Sequence, residues 1–171
     1  MQALRNQGRA PGDTWLQHTY LGYNYRLDEM SAALGLSQLK RIEKLLYRRN
    51  HVAQWYKQYL KNIKEIEIPY IADSTSRVSW FVYVIHLAKN IDRNILASCL
   101  KKEGVAVRPY FSPIHLQPYM VKSFGYQRGD YPVTEDLGRR GIALPFSSIM
   151  SQEQVALVCE KLIKCIRKVT H

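Results

Sequence analysis

The longest periodic segment of the chain lies within residues 28–62 and starts at Asp28. Asp28 is a suitable N-cap, because its carboxylate can accept a free backbone N–H of the first helical turn. No proline interrupts the segment, so the pattern predicts one continuous helix of about 50 Å at about 1.5 Å per residue. Since that exceeds a small domain, part of the helix is expected to reach another domain or subunit. Met30, Ala33 and Leu34 begin an apolar stripe. After them, apolar positions recur at steps of three and four, as on one helix face: Leu39, Ile42, Leu45 or Leu46, Val52 or Ala53, Tyr56 and Leu60.

The apolar pattern after this helix changes to β-rich runs separated by shorter helical segments. It predicts a strand over 78–87, a helix over 93–103, a strand over 105–110, a loop region over 111–131 with one short helix, a short helix beginning at 134–138, an extended segment over 142–146 and a last helix starting at 151–154. The expected inward side chains of the two longer helices are Ile95, Leu96, Cys99 and Leu100, and Val155, Leu157, Val158, Leu162, Ile163 and Ile166. This order indicates a small α+β domain.

Three parts of the chain follow from these patterns. Residues 1–27 have little periodicity and are predicted to form an arm or loop, in which Trp15, Leu16, Tyr20 and Leu21 are apolar enough to pack. Residues 28–62 form the long helix, and residues 63–171 form the α+β domain.

The chain of 171 residues is strongly basic, with a formal net charge of +11. Such a balance favours an anionic partner: nucleic acid, an anionic membrane, a phosphorylated ligand or an acidic part of the same protein. Several basic residues lie on the long helix: Lys40, Arg41, Lys44, Arg48 and Arg49. A solvent-exposed helix face explains this cluster as well as an anionic partner does. No apolar run reaches the length of a membrane span, and the N-terminus does not resemble a signal peptide, so a cytoplasmic protein is expected.

The cysteine and histidine positions predict neither a disulfide framework nor a metal site. The three cysteines, Cys99, Cys159 and Cys165, are odd in number and lack close spacing, so buried or half-buried free thiols are expected. The histidines are not paired at metal-ligand spacing. Phosphate-binding glycine loops and the serine-hydrolase motif are also missing from the sequence.

Two loops carry the side chains that are best suited to bind a ligand or to take part in a reaction. Residues 22–26 place an amide, two phenols and a guanidinium beside a helix N-terminus, a combination that suits a phosphate or carboxylate. Residues 108–115 place a guanidinium, a phenol and an imidazole where a strand runs into a loop. Capping and packing are the alternative roles of both loops.

The motifs in these two loops and in several other segments, taken in order along the chain, resemble those of the pyridoxal-phosphate (PLP) nucleotide-sugar aminotransferases of the DegT/DnrJ/StrS group. The matching segments are Leu4 to Arg9, Gly22 to Leu27, Ala32 to Leu39, Ile42-Glu43, Arg48-Arg49, Arg108 to Phe111, His115 to Pro118, Leu144 to Phe146 and Ser151 to Gln154. Each is weak alone, whereas the ordered set is specific and covers nearly the whole chain.

The resemblance implies the small C-terminal domain of a fold-type I transferase, preceded by the long helix as an interdomain and dimer contact. It also implies that the Schiff-base lysine belongs to a segment upstream of Leu4, in a large cofactor domain that is absent here. The chain alone is therefore expected to have no catalytic residue, to bind no PLP and to lack transaminase activity.

The resemblance further implies roles for the residues that are present. Asn24 corresponds to a residue that reaches the cofactor phosphate of the partner subunit in a homodimer. Arg26 corresponds to a nearby position that meets an acidic group of the substrate. Arg108, Tyr110 and His115 correspond to the mouth of the site, where the nucleotide sugar or the amino donor is met.

Three functions remain open at this point. The first is amino transfer from an amino acid, usually glutamate, to a keto-sugar nucleotide. The second is a PLP-dependent sugar dehydratase or deoxygenase, or a regulatory relative of the same fold. The third is a basic, non-enzymatic nucleic-acid-binding or regulatory module, which no recognised DNA-binding motif accompanies.

Overall fold

The computed structural model describes residues 1–14 and 17–170. The chain divides into two compact units, Met1–Glu43 and Lys44–His171. This division differs from the predicted limits after residues 27 and 62. The packing predicted for Trp15 and Leu16 lies outside the described residues, whereas Tyr20 and Leu21, which were also predicted to pack, are 55% and 87% exposed.

The first unit contains helices α1 (Gln2–Arg5) and α2 (Glu29–Leu39), and the end of α1 pairs through its backbone with the segment before α2. The Tyr23 N–H donates to Leu4 O at 2.8 Å, and the Tyr25 N–H donates to Arg5 O at 2.9 Å. The two segments approach closely at two glycines: a Cβ on Gly22 would overlap the backbone of Gly8, and a Cβ on Gly8 would overlap Tyr20 O. The arm predicted for residues 1–27 is therefore a paired loop that requires glycine at this crossing.

The continuous helix predicted over 28–62 is wrong, because it is interrupted at Lys40 and Arg41. Helix α2 ends at Leu39, and α3 (Ile42–Leu60) begins after this turn. The Arg41 N–H donates to Gln38 O at 3.0 Å, a step of three residues that tightens the chain out of α-helical hydrogen bonding. A break of this kind needs no proline, so the sequence pattern does not reveal it. The predicted N-cap is confirmed, since Asp28 Oδ1 accepts the Ser31 N–H at 2.9 Å.

The second unit is built on an antiparallel sheet of four strands in the order β1-β2-β4-β3. The strands are β1 (Ile66–Glu67), β2 (Tyr83–Leu87), β3 (Arg108–Pro109) and β4 (Gly141–Leu144). The helices of this unit after α3 are α4 (Arg93–Lys102), α5 (Pro118–Phe124), α6 (Pro132–Arg140) and α7 (Gln152–Thr170), with a 3₁₀ turn at Ile114–Leu116. The α+β class is confirmed, the strands are shorter than predicted, and β1 was not predicted.

The core of the second unit lies where α3, α4 and α7 contribute apolar side chains to one cluster with the sheet. Its fully buried side chains include Val52, Tyr56, Leu60, Tyr83, Ile85, Leu87, Leu96, Leu100, Ile142, Val155 and Leu162. Two residues that were predicted to face inward are exposed: Ile95 at 59% and Leu157 at 50%. The buried faces of α4 and α7 are thus narrower than the apolar stripes in the sequence.

The cysteine prediction is partly wrong. Cys99 on α4 and Cys165 on α7 form a disulfide, with Cα atoms 5.9 Å apart. The two positions are 66 residues apart, and only the packing of the two helices brings them together. Cys159 is a buried free thiol as expected, and its burial raises the pKa of the thiol to about 12.

The side chain of Arg140, at the end of α6, is buried with three polar partners. Its Nε donates to Asp136 Oδ2 at 2.8 Å, and its Nη1 donates to Leu87 O at 2.7 Å and to Glu67 Oε1 at 3.2 Å. The guanidinium therefore links α6 to both β1 and β2. A buried charge is tolerated only with such partners, because its desolvation is otherwise uncompensated.

Replacing Arg140 with Ala is expected to lower the free energy of unfolding by about 3 kcal/mol, because Asp136 and Leu87 O lose a buried partner. Arg139 is the matched control: it also binds Asp136, at 2.7 Å, but its side chain is 55% exposed. Arg139→Ala is expected to cost less than about 1 kcal/mol. Urea unfolding followed by circular dichroism measures both. Equal losses in the two variants would contradict the assigned role of Arg140.

Candidate functional site

A cavity of about 520 Å³ lies in the second unit, between the loop that follows β3 and the helices α5 and α6. Two of the predicted site residues, Tyr110 and His115, line it. The other lining residues are Phe111, Ser112, Pro113, Ile114, Met120, Tyr126, Tyr131, Thr134, Leu137 and Gly138. The cavity falls within the size range of small-molecule sites.

Two glycines hold the loop after β3 directly against α6 and β4. The Tyr110 N–H donates to Gly141 O at 3.1 Å, and a Cβ on Gly141 would overlap Tyr110 O. A Cβ on Gly138 would lie 2.9 Å from Phe111 O, closer than van der Waals contact allows. The position of this cavity wall therefore depends on the absence of side chains at 138 and 141.

The imidazole of His115 is buried in the cavity wall and bound to a carboxylate of α6. Its Nε2 lies 3.0 Å from Glu135 Oε1, and its side chain is 7% exposed. The same Glu135 oxygen accepts the Gly129 N–H at 2.8 Å. The backbone N–H of Gly129 and, after it, His115 hold the pKa of Glu135 below its usual range. Glu135 is thus a carboxylate that accepts two hydrogen bonds.

Aromatic rings surround His115 on the cavity side. The rings of Tyr131 and Tyr126 lie with their centroids 4.8 Å and 6.3 Å from the imidazole, at steep angles to it. Among the described residues that line the cavity, none carries a lysine, arginine, aspartate or glutamate side chain. The wall therefore offers apolar ring faces, hydroxyl groups and one imidazole, which suit an uncharged polar ligand.

Arg108 is not brought into this cavity wall. It lies in β3, opposite Ala143 of β4, and its side chain is exposed. The structure thus groups Tyr110 with His115 and leaves Arg108 on the sheet edge.

The other two predicted site residues, Asn24 and Arg26, lie together in the first unit. The Arg26 Nε donates to Asn24 Oδ1 at 3.0 Å, and both side chains are exposed. Asn24 also forms a backbone bridge with Asn6. Because the amide oxygen is occupied by Arg26, the amide NH₂ and the remaining guanidinium N–H groups are left as donors. Donors of this kind fit the phosphate group of PLP.

Sequence reasoning did not identify Glu135, Tyr126 and Tyr131 as site residues. Glu135 lies 20 positions after His115, and no spacing rule connects a loop histidine with a carboxylate in the first turn of a later helix. The signal that was present is a pair of tyrosines in the region 111–131, which the sequence predicted to be mostly loop.

The described residues contain no group of three histidine, cysteine, aspartate or glutamate side chains suited to a metal ion. No helix among residues 1–14 and 17–170 combines the length and the apolar content of a membrane-crossing segment.

Comparison with known proteins decides the family. The sequence profile of the DegT/DnrJ/EryC1/StrS aminotransferase family matches residues 1–163. The chain belongs to this family. The family resemblance found in the sequence motifs is thereby confirmed.

Curated relatives of this family member include the spore coat polysaccharide biosynthesis protein SpsC of Bacillus subtilis (strain 168), 29% identical over 163 residues, which cover 93% of this chain and 42% of SpsC. GDP-perosamine synthase of Escherichia coli O157:H7 is 32% identical over 145 residues, which cover 85% of this chain and 38% of that enzyme. The chain thus spans about two fifths of the length of the curated relatives it matches.

Solved structures of similar fold are aminotransferases. PseC of Helicobacter pylori, an aminotransferase involved in the biosynthesis of pseudoaminic acid, aligns with a TM-score of 0.86 at 23% identity, over 98% of this chain and 45% of PseC. DesV of S. venezuelae aligns with a TM-score of 0.84 at 26% identity, over 95% of this chain and 42% of DesV. The family is PLP-dependent, and a further neighbour, Spr1654 of Streptococcus pneumoniae, has been solved in a PLP form.

The carboxylate of Glu135 is expected to make stability depend on acid pH. Because its folded pKa is lowered, its contribution is fully present above the unfolded pKa of about 4.3. That contribution is lost as pH falls through the lower folded pKa. Glu135→Gln should therefore flatten the acid limb of the melting temperature against pH, measured by calorimetry. The control is Glu160→Gln, an exposed glutamate of α7. An unchanged acid limb in Glu135→Gln would show that Glu135 is not a bonded carboxylate in the folded protein.

Proposed function

We propose that this chain supplies the C-terminal part of a PLP-dependent aminotransferase, which moves an amino group from an amino acid, with glutamate as donor, to a keto-sugar nucleotide. The match of the family profile over residues 1–163 carries this proposal. Amino transfer to a GDP-sugar is supported by the similarity to GDP-perosamine synthases. The complete protein is proposed to act as a cytoplasmic homodimer.

The arm of the first unit is proposed to hold the cofactor of the partner subunit. PLP supplies an electron sink for the reaction, and the protein binds and orients it. Asn24 donates its amide N–H to the cofactor phosphate, supported by its exposed position and by Arg26, which occupies its oxygen. Arg26 also offers guanidinium N–H groups to an acidic group of the substrate.

The cavity of the second unit is proposed to receive part of the substrate. Tyr110 and His115 line it, and Arg108 lies exposed on the neighbouring strand, where it meets the nucleotide sugar or the amino donor. In this assignment the chain positions the substrate, and catalytic proton transfer belongs to the lysine of the cofactor domain.

Helix α2 is proposed to form the contact between subunits. None of its residues is buried in the first unit, although it carries Met30, Leu34, Leu36 and Leu39, which are 56–84% exposed. Exposed apolar side chains at this density, spread around the helix, favour burial against another protein surface.

The coding sequence immediately upstream of Met1 tests the proposal. An in-frame cofactor domain with a Schiff-base lysine is expected, and the encoded protein should transfer an amino group from glutamate to a keto-sugar nucleotide. The chain of 171 residues alone should show no transfer. Transfer by the chain alone would contradict the assignment of its role, and a dehydratase product from the complete protein would contradict the reaction.

Replacing Asn24 with Ala in the complete enzyme is expected to weaken PLP retention by about tenfold to a hundredfold, the loss of one hydrogen bond to a charged group. Equilibrium dialysis with absorbance of the cofactor measures it. Asn6→Ala, at the partner of Asn24 in the backbone bridge, is the control that should leave PLP retention unchanged.

Mixed dimers test whether Asn24 acts across the subunit boundary. One subunit carries Asn24→Ala, and the other carries a substitution of the Schiff-base lysine. If Asn24 serves the partner, such dimers contain one intact site, which retains PLP at the native affinity. If Asn24 serves its own subunit, the site that keeps its lysine has the weakened affinity of the Asn24→Ala enzyme, which would overturn the cross-subunit role.

A further inference from the structure

We propose that the disulfide between Cys99 and Cys165 is a reversible modification site: an external dithiol reduces it, an external disulfide restores it, and its state sets how firmly the cavity of the second unit is held. Cys99 lies on α4 and Cys165 on α7, with their Cα atoms 5.9 Å apart. The proposal concerns a bond within this chain and does not depend on the proposed function.

An external thiol can reach the bond from the side of Cys99. Cys165 is completely buried, whereas Cys99 is only partly buried. Thiol–disulfide exchange begins when a thiolate attacks one sulfur of the bond, so its rate depends on access to that sulfur. The external thiolate is therefore expected to attack at Cys99 and to release Cys165.

The exchange balances with a dithiol as the reductant. The bond between the two cysteine sulfurs breaks, and a bond forms between Cys99 Sγ and the first sulfur of the dithiol. Cys165 leaves with the electron pair and takes up a proton. The second thiol of the reagent then displaces Cys99 and closes the disulfide of the reagent. The protein gains two electrons and two protons in total, and a disulfide reagent reverses the reaction.

The third cysteine of the chain does not compete for the bond. Cys159 is a buried free thiol on α7, and its burial raises the pKa of the thiol to about 12. Because the thiolate is the form that exchanges, Cys159 stays protonated and unreactive at neutral pH. Re-oxidation is therefore expected to restore the same bond between Cys99 and Cys165.

The two helices have contacts that persist when the bond is broken. Leu100 of α4 and Leu162 of α7 are fully buried in the same core. Glu103, directly after α4, accepts hydrogen bonds from Lys164 and Lys168 of α7 at 3.2 Å and 3.1 Å. A chain of 171 residues also buries enough surface to fold without a crosslink. Reduction is thus expected to loosen the pair of helices without unfolding the unit.

The bond closes the segment that contains the cavity. The two cysteines are 66 positions apart. Between them lie β3, α5, α6 and β4, and with them every residue that lines the cavity. A disulfide restricts the open and unfolded states of the segment that it closes. The oxidised chain is therefore expected to hold the cavity more firmly than the reduced chain does.

Thermal melting of the chain measures the effect of the bond. Reduction by dithiothreitol is expected to lower the melting temperature by about 5 to 15 °C, the usual contribution of a disulfide that closes a long loop, and oxidised glutathione should restore it. Cys165→Ala should abolish the difference between oxidising and reducing buffer, whereas Cys159→Ala, the control, should keep it. No difference in the native chain, no recovery on re-oxidation, or a difference that survives Cys165→Ala would overturn the proposal.

Mass spectrometry after treatment with oxidised glutathione tests the point of attack. Cys165→Ala is expected to form a mixed disulfide at Cys99, whereas Cys99→Ala should form one at Cys165 at least about tenfold more slowly, because exchange requires access to the sulfur. Equal rates would overturn the assignment of Cys99 as the attacked residue. A native disulfide that joins two chains, and not Cys99 and Cys165 of one chain, would overturn the whole proposal.

Amide hydrogen exchange below the melting transition tests the effect on the cavity. Reduction is expected to speed the exchange of residues 105–140, which lie inside the closed segment, and α3, which lies outside it, is the internal control. Unchanged exchange of residues 105–140, or an equal acceleration in α3, would overturn the link between the bond and the cavity.

Discussion

The buried guanidinium of Arg140 is the contact on which the geometry of the second unit depends. It joins α6 to β1 through Glu67 and to β2 through Leu87 O, and it stands directly before β4. Because a buried charge must keep its partners, the end of α6 has little freedom to move along the sheet. The start of β4, and with it the register against β2 and β3, is set at the same point.

The shape of the cavity depends on the position of α6, which Arg140 holds against the sheet. Helix α6 carries Glu135, which binds His115, and Gly138, which accepts the close approach of Phe111 O. Gly138 O also accepts a hydrogen bond of 2.5 Å from Arg93 Nη1 at the start of α4. One short helix thus holds an ion pair on one side and a ligand-sized cavity on the other, so the stability of the sheet and the position of the site residues are coupled.

Local sequence signals located most elements of the fold. Asp28 caps α2 as predicted. Asp92 caps α4 in the same way, and Ser151 and Gln154 form reciprocal hydrogen bonds before α7. These features depend on residues within one turn of each other, which is why the sequence reveals them. The break at Lys40 and Arg41 and the exposure of Ile95 and Leu157 were missed, because they depend on which surfaces meet in the folded chain.

The sequence by itself determined the α+β class, the ordered motifs of the aminotransferase family and the two loops that carry chemistry, since each is a matter of residue type and short spacing. Only the tertiary structure decided that Cys99 meets Cys165, that Tyr110 and His115 share a cavity that excludes Arg108, and that Glu135 binds His115. Each of these pairings joins positions on different elements. Helix packing and strand register bring them together, and no local pattern encodes either.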